Sequence, residues 1–248
     1  MTSLVTTAHE RGITTLTLDS PDNRNALSAR LVGELAGALD DCGKDPAVRA
    51  VVLTHTGPTF SAGADLKAPP SPYTFVALLR AIVELPKPVV ARVDGHVRAG
   101  GLGILGACDI VAAGTGVDFA LTEVRIGVAP SVISLSLLPR LDPRAASRYY
   151  LTGERFDAAE AARIGLVTVV GDGVDGVDGV LAPVLDGLRK ASPQGLAEAK
   201  RLVTARVLET FERDAEDLVQ RSASLFASAE AREGMTAFLE RRDPAWVV

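Results

Sequence analysis

Apolar positions along the chain alternate between the two-residue period of strands and the 3.6-residue period of helices, and the places where the period changes mark out its elements. Residues 3–8 and 13–18 (ITTLTL) are rich in β-branched side chains and predict two strands joined by a turn at Glu10–Gly12. After the turn-rich SPDNRN, Ser28 is placed to cap an amphipathic helix in which Leu31, Leu35, Ala38 and Leu39 recur at helical spacing. VRAVVLTHT (48–56) has no polar face and predicts a strand buried on both sides. A Gly- and Pro-rich loop, GPTFSAGADLKAPP, leads to a helix through TFVALLRAIVEL and then to another apolar strand, PVVARV (88–93). Strands alternating with helices predict an α/β architecture.

From Asp157 the pattern is helical. Asp157 has Glu160 three residues on, as a capping pair requires, and Gly165 suits a C-terminal stop. GDGVDGVDGV (171–180) reads as a loop, and beyond SPQG (192–195) nearly every apolar spacing is helical. These features divide the chain into a core domain over 1–190 and a helical region over 191–248. The second is too small to stand alone and is expected to pack on the core or on neighbouring subunits.

Composition narrows the function. With 248 residues, 47% of them hydrophobic, the chain can bury a large core. A formal net charge of −5 argues against a nucleic-acid or membrane-surface binder, though a local basic cluster can still hold phosphate. Two cysteines, Cys42 and Cys108, suggest buried small hydrophobes in a reducing compartment rather than disulfides. The start MTSLVTTAHERG lacks a basic n-region and an apolar h-region, and no run approaches the roughly 18 apolar residues of a membrane span; a soluble cytoplasmic protein is expected. His9, His55 and His96 show no ligand spacing, so no metal site is predicted.

GLGILG (101–106) has the form G-x-G-x-x-G, with Glu123 twenty residues beyond Gly103. A dinucleotide loop needs a strand running into the first glycine and a long helix after the last. Here Asp94 to Arg98 intervene before the glycines, and Gly106 is followed at once by strand-like ACDIVAAG, leaving room for a short helix only. A helix that starts at Ala99-Gly100-Gly101 has another use. Its first N–H groups lack partners, and glycine lets an oxygen approach them closely, as an oxyanion hole requires; the same small residues would also suit a helix packed tightly on a sheet. FSAGADL (60–66) follows a strand and offers a second such amide, that of Ala64.

By these segments the chain resembles the crotonase, or enoyl-CoA hydratase/isomerase, superfamily. FSAGADLK matches its first oxyanion segment, GHVRAGGLGILGACD its second and FALTEVRIGVAP its catalytic-glutamate segment, while NRNAL and REGMTAFLERR match its flanking patterns. The resemblance implies a spiral of ββα repeats with a C-terminal helical trimerisation region, assembled as a homotrimer or hexamer. It implies oxyanion amides from Ala64 and Gly100 and proton transfer by Glu123. It also implies a coenzyme A moiety bordered by Arg24, Ala26, Ala62, Asp65, Leu66 and Lys67, with no prosthetic group and an acyl-CoA thioester as substrate.

One position departs from the best-known hydratases, which carry a second glutamate where this chain has Gly103. Single-glutamate members include Δ3,Δ2-enoyl-CoA isomerases, but GGLGILGACDI with TEVR and VAPSVIS is more similar to the methylglutaconyl-CoA-hydratase-like branch. Hydration of a 2-enoyl-CoA is therefore the leading expectation, with isomerisation or non-catalytic acyl-CoA binding as alternatives. Arg98 is placed either to pair with a substrate anion or to remain solvated. Arg125 is placed either to lower the pKa of Glu123 or to form a structural salt bridge, and Asp109 matches a structural position of the family. Arg241 and Arg242 are further basic candidates, and Tyr73 and Phe75 candidate acyl-pocket residues.

Overall fold

A computed structural model describes residues 2–172 and 174–248. β1 (Val5–Glu10) and β2 (Ile13–Leu18) pair antiparallel across Arg11 and Gly12, whose φ values of 49° and 79° give the left-handed turn that matches strand twist. The chain continues through α1 (Ala29–Lys44), β3 (Ala50–His55), β4 (Thr59–Ser61), α2 (Pro72–Glu84), β5 (Val89–Val93), β6 (His96–Arg98) and α3 (Gly100–Ala107). Then come β7 (Ile110–Gly114), β8 (Asp118–Ala120), α4 (Ser134–Leu137), α5 (Pro143–Thr152), β9 (Phe156–Asp157), α6 (Ala158–Arg163) and β10 (Val169–Gly171). α7 (Gly176–Lys190), α8 (Pro193–Phe226) and α9 (Ala229–Glu240) complete it.

Six strands form one sheet in the order β1-β2-β3-β5-β7-β10, parallel beyond the hairpin, and four short ones form a second, β4-β6-β8-β9. Each turn of the chain gives one longer strand to the first sheet and one short strand to the second, as β3 and β4, β5 and β6, β7 and β8 do. This is the expected spiral of ββα turns. Ser28 caps α1 by accepting from Leu31 N–H (3.1 Å), and Asp157 caps α6 by accepting from Glu160 N–H (2.8 Å). The strand at β3 is buried on both faces as its composition requires: Val51 and Leu53 join the main core, while Ala50 and Val52 join a second cluster covered by Val177 and Leu181 of α7.

That cover corrects the loop expectation for 171–180. Residues 176–180 open α7, because burying Val177 and Leu181 on the sheet outweighs their turn-prone neighbours; Gly173 of that stretch lies outside the described residues. β4 falls inside the expected loop GPTFSAGADLKAPP, and β6 in a stretch for which no element is expected, each being three residues and too short to show alternation.

The C-terminal helices lie against the spiral. α8 packs on α2 and α4 and puts Val207 and Phe211 into the main core. Near its start the buried Lys200 ammonium donates to Asp109 Oδ2 (2.8 Å) and to the Ile82 and Lys87 carbonyls, fixing α8 to the loop before β7. Asp109 also accepts from Val89 N–H (2.7 Å), so its role is structural. Among the described residues no helix is long and apolar enough to cross a membrane.

Candidate active site

Two loops that leave the short sheet approach each other. After β4, Gly63 (φ 90°) donates to Ser61 Oγ, and its carbonyl accepts from Leu27 N–H (2.8 Å). Asp65 N–H donates to Leu27 O (3.1 Å), so the loop is paired on either side of Ala64 while Ala64 N–H donates to none of the described residues. Leu27 itself is set by Asn25, the buried asparagine of NRNAL. Its side chain accepts from Ser20 N–H and donates to the carbonyls of Thr56 and Thr59, and its φ of 52° suits an asparagine.

After β6 comes Ala99, with φ 47° and ψ −118°, a conformation that favours glycine and costs an alanine about 1–3 kcal/mol. It turns the chain into α3, whose first residue, Gly100, has no intrahelical acceptor for its N–H. A side chain on Gly63 would put its Cβ 2.8 Å from Ala99 Cβ and 3.8 Å from Gly100 N, so glycine at 63 is what lets the loops meet. Ala64 and Gly100 line one cavity of about 890 Å³.

Glu123 lines the same cavity. It stands three residues beyond the end of β8, opening a 3-10 turn, Glu123–Ile126, that closes through Gly127 (φ 76°). The residue is 9% exposed and its Oε2 has no hydrogen-bond partner among the described residues. Burial pushes its pKa up to about 7, against an opposing pull from its own backbone N–H. Arg125 does not lower it. That side chain is exposed and turned towards Gly153, where an added Cβ would sit 3.0 Å from Arg125 Nε.

The seat of a second acid is filled. A Cβ on Gly103 would fall 2.5 Å from Ile133 Cγ2 and 2.9 Å from Ile133 Cβ, and Ile133 itself lines the cavity. Nothing in the sequence signals this role for Ile133, since α3 and the loop before α4 touch only in the fold.

Of the six residues expected at coenzyme A, Arg24, Ala62 and Leu66 line the cavity, whereas Ala26, Asp65 and Lys67 lie outside its wall. Asp65 Oδ1 instead accepts from Lys67 N–H (2.9 Å), shaping the loop, and Ala26 N–H donates to Asn23. Arg98 reaches the cavity but is neither solvated nor free: it donates to Asp118 Oδ1 (2.7 Å) and to the carbonyls of Val97 and Asp118. Phe75 lines the cavity; Tyr73 does not, and bonds Glu216 and Gln220 of α8. Arg242 is held by Glu233 and Glu240. Walls that the sequence did not point to come from Ser222, Ala223 and Phe226 of α8 and Phe238 of α9. Among the described residues no group of three or more His, Cys, Asp or Glu is placed to hold a metal ion.

Comparison with known proteins shows the family and the fold. The family model described as enoyl-CoA hydratase/isomerase matches residues 8–247. The crystal structure of an enoyl-CoA hydratase from Mycobacterium avium superposes with a TM-score of 0.92 at 53% identity, over 100% of each chain. A carnitinyl-CoA hydratase from the same organism superposes with a TM-score of 0.88 at 28% identity, over 99% of each chain. The carnitinyl-CoA dehydratase of Citrobacter koseri is 32% identical over 246 residues, 93% of this chain and 93% of its own.

Proposed function

This chain belongs to the enoyl-CoA hydratase/isomerase family, and from that premise we propose that it adds water across the double bond of a 2-enoyl-CoA thioester, with Glu123 as its only proton-transfer residue. The observation that carries the reading is the meeting of Ala64, Gly100 and a buried, unpaired Glu123 on one cavity.

The thioester oxygen accepts from the amides of Ala64 and Gly100. As water oxygen bonds to C3, the Glu123 carboxylate takes one of its protons and the double-bond electrons move onto the thioester oxygen, giving an enolate. The protonated Glu123 then returns a proton to C2 as the enolate collapses. The amide bonds strengthen as charge grows on the oxygen, which lowers the barrier rather than tightening substrate binding alone; each is worth about 10²- to 10³-fold. A pKa of about 7 keeps both forms of Glu123 populated near neutrality, so one carboxyl can serve as base and then as acid.

Glu123→Gln keeps the shape and removes the proton exchange. It is expected to lower kcat by about 10²- to 10⁴-fold in an assay that follows loss of the conjugated enoyl absorbance. Turnover at the parental rate would end the assignment. Gly103 favours one further reading, isomerisation, in which the same carboxyl takes a proton from C2 and returns it to C4. A 3-enoyl-CoA substrate separates the two, since only an isomerase converts it to the conjugated thioester.

The lone carboxyl beside Gly103 also supports the methylglutaconyl-CoA-hydratase-like branch within the family. Exposed Leu202, Val203, Phe238 and Leu239 support assembly of the chain into the homotrimer or hexamer that the family resemblance implies.

A further inference from the structure

On the hydratase reading, with Ile133 in the seat of a second acid, Glu123 alone is left to hold the water that attacks C3. One partner is too few, because a water ordered in an enclosed site makes about three hydrogen bonds. Among the described residues the cavity has three buried polar side chains, Glu123, Ser131 and Ser222. Ser222 stands on α8, in the wall that the C-terminal helices supply. Ser131 belongs to the segment Val128 to Ile133, every residue of which lines the cavity and of which no other side chain carries a polar atom.

That segment is tied at both ends to the reacting groups. At its start Val128 N–H donates to the Glu123 carbonyl (3.2 Å), joining it to the turn that carries the carboxyl. At its end Ile133 meets Gly103, which lies three residues, or about 4.5 Å of helix rise, beyond Gly100. Ser131 precedes Ile133 by two residues, at most about 7 Å of chain. Its hydroxyl is therefore held between the carboxyl and the amide of Gly100, where the reacting carbons of a bound thioester would lie.

The backbone around Ser131 is ordered before any substrate arrives. Ser131 N–H donates to the Ala129 carbonyl (2.7 Å), and Ser134 Oγ donates to the Pro130 carbonyl (2.6 Å) while lying 3.2 Å from the Tyr150 hydroxyl. The Ser131 hydroxyl is less committed. Its proton is directed at the Ala129 carbonyl over a long 3.3 Å, and its lone pairs accept from no donor among the described residues. An oxygen fixed in place with free lone pairs, on the wall of an otherwise apolar segment, is an acceptor for a water O–H.

We propose that Ser131 is a second catalytic residue, whose Oγ accepts a hydrogen bond from one O–H of the attacking water while the Glu123 carboxylate accepts from the other. The water lone pair is then turned towards C3. Glu123 takes the proton it was accepting, the water oxygen bonds to C3, and Ser131 keeps its own proton throughout. The inference rests on the hydratase reading and deepens it: a neutral hydroxyl orients the water, and Glu123 remains the only group that changes its protonation state.

Steady-state hydration of a panel of 2-enoyl-CoA thioesters by the intact protein, followed across pH, tests this role. Ser131→Ala and the near-isosteric Ser131→Cys, whose sulfur is a weak acceptor, are each expected to lower kcat about tenfold, the upper scale of one neutral hydrogen bond, while KM changes less than about twofold. The fall of kcat/KM below a pH of about 7 should stay where it is, because Glu123 keeps its buried surroundings. Full kcat in both variants would overturn the assignment. A loss accompanied by a shift of that fall towards 4.5 would also overturn it, by giving Ser131 the structural task of keeping solvent from Glu123. Failure of the hydratase reading shows separately, in the parent protein, which would then hydrate no member of the panel.

Discussion

Below a pH of about 4.5, the ordinary value for a glutamate, Glu123 holds its proton in both the folded and the unfolded chain, and its burial does not couple stability to pH. Between about 4.5 and 7 the unfolded chain releases that proton while the folded chain keeps it, so stability falls as pH rises. Above 7 the folded chain carries a buried, unpartnered carboxylate, at a cost of about 3 kcal/mol by the size of the shift. Glu123→Gln has no proton to lose. In urea denaturation it should exceed the parent in stability at pH 8 by up to about that amount and match it near pH 4; a difference that does not change with pH would show that the carboxyl is not held protonated. Catalysis is expected to run the other way, with kcat/KM falling as pH drops below about 7 and the base becomes protonated. At this scale the motif made Ala64, Gly100 and Glu123 legible. It did not disclose the shift at Glu123, which comes from burial, nor Ile133, whose contact with Gly103 joins segments thirty residues apart.

Two glycines let α9 press on the turn that carries Glu123. A Cβ on Gly234 would lie 2.5 Å from the Ile126 carbonyl carbon, and one on Gly127 would lie 2.6 Å from the carbonyl carbon of Glu230. Both contacts are with backbone, which cannot turn aside as a side chain can. Gly234→Ala is therefore expected to cost about 1–3 kcal/mol and to shift the 123–126 turn. Thermal unfolding should show a lowered Tm, and kinetics a kcat reduced more than KM; unchanged stability with full activity would show that the helix does not brace the turn. β2, α1, β3, α2 and β5 were readable because each spans a full stretch of periodic burial. β4 and β6 were not, having three residues each, and α7 was hidden behind Gly and Asp whose local preference its packing overrides. The glycines at 127 and 234 stand in the sequence without any mark that they face each other.

Over the whole molecule, the spiral supplies Ala64, Gly100 and Glu123 and the last two helices supply part of the cavity wall, through Ser222, Ala223, Phe226 and Phe238. Lys200 and Asp109 tie the first of these helices to the sheet, and removing Lys200 alone would leave a buried carboxylate without its counter-charge. A chain ending at Ala227 retains both sheets and α8 but loses the brace behind Glu123. Circular dichroism of that truncated chain should stay close to the parent while hydration is lost, because water reaching Glu123 returns its pKa towards 4.5; activity kept in full would show α9 to be dispensable. Synthesis runs from the N-terminus, so the residues proposed to act on the substrate, Ala64, Gly100 and Glu123, leave the ribosome before α8 and α9. On the proposed reading, a chain still lacking them would be without Phe226 and Phe238 in the cavity wall and without the contact of α9 with Ile126, so that turnover would wait for the last helix.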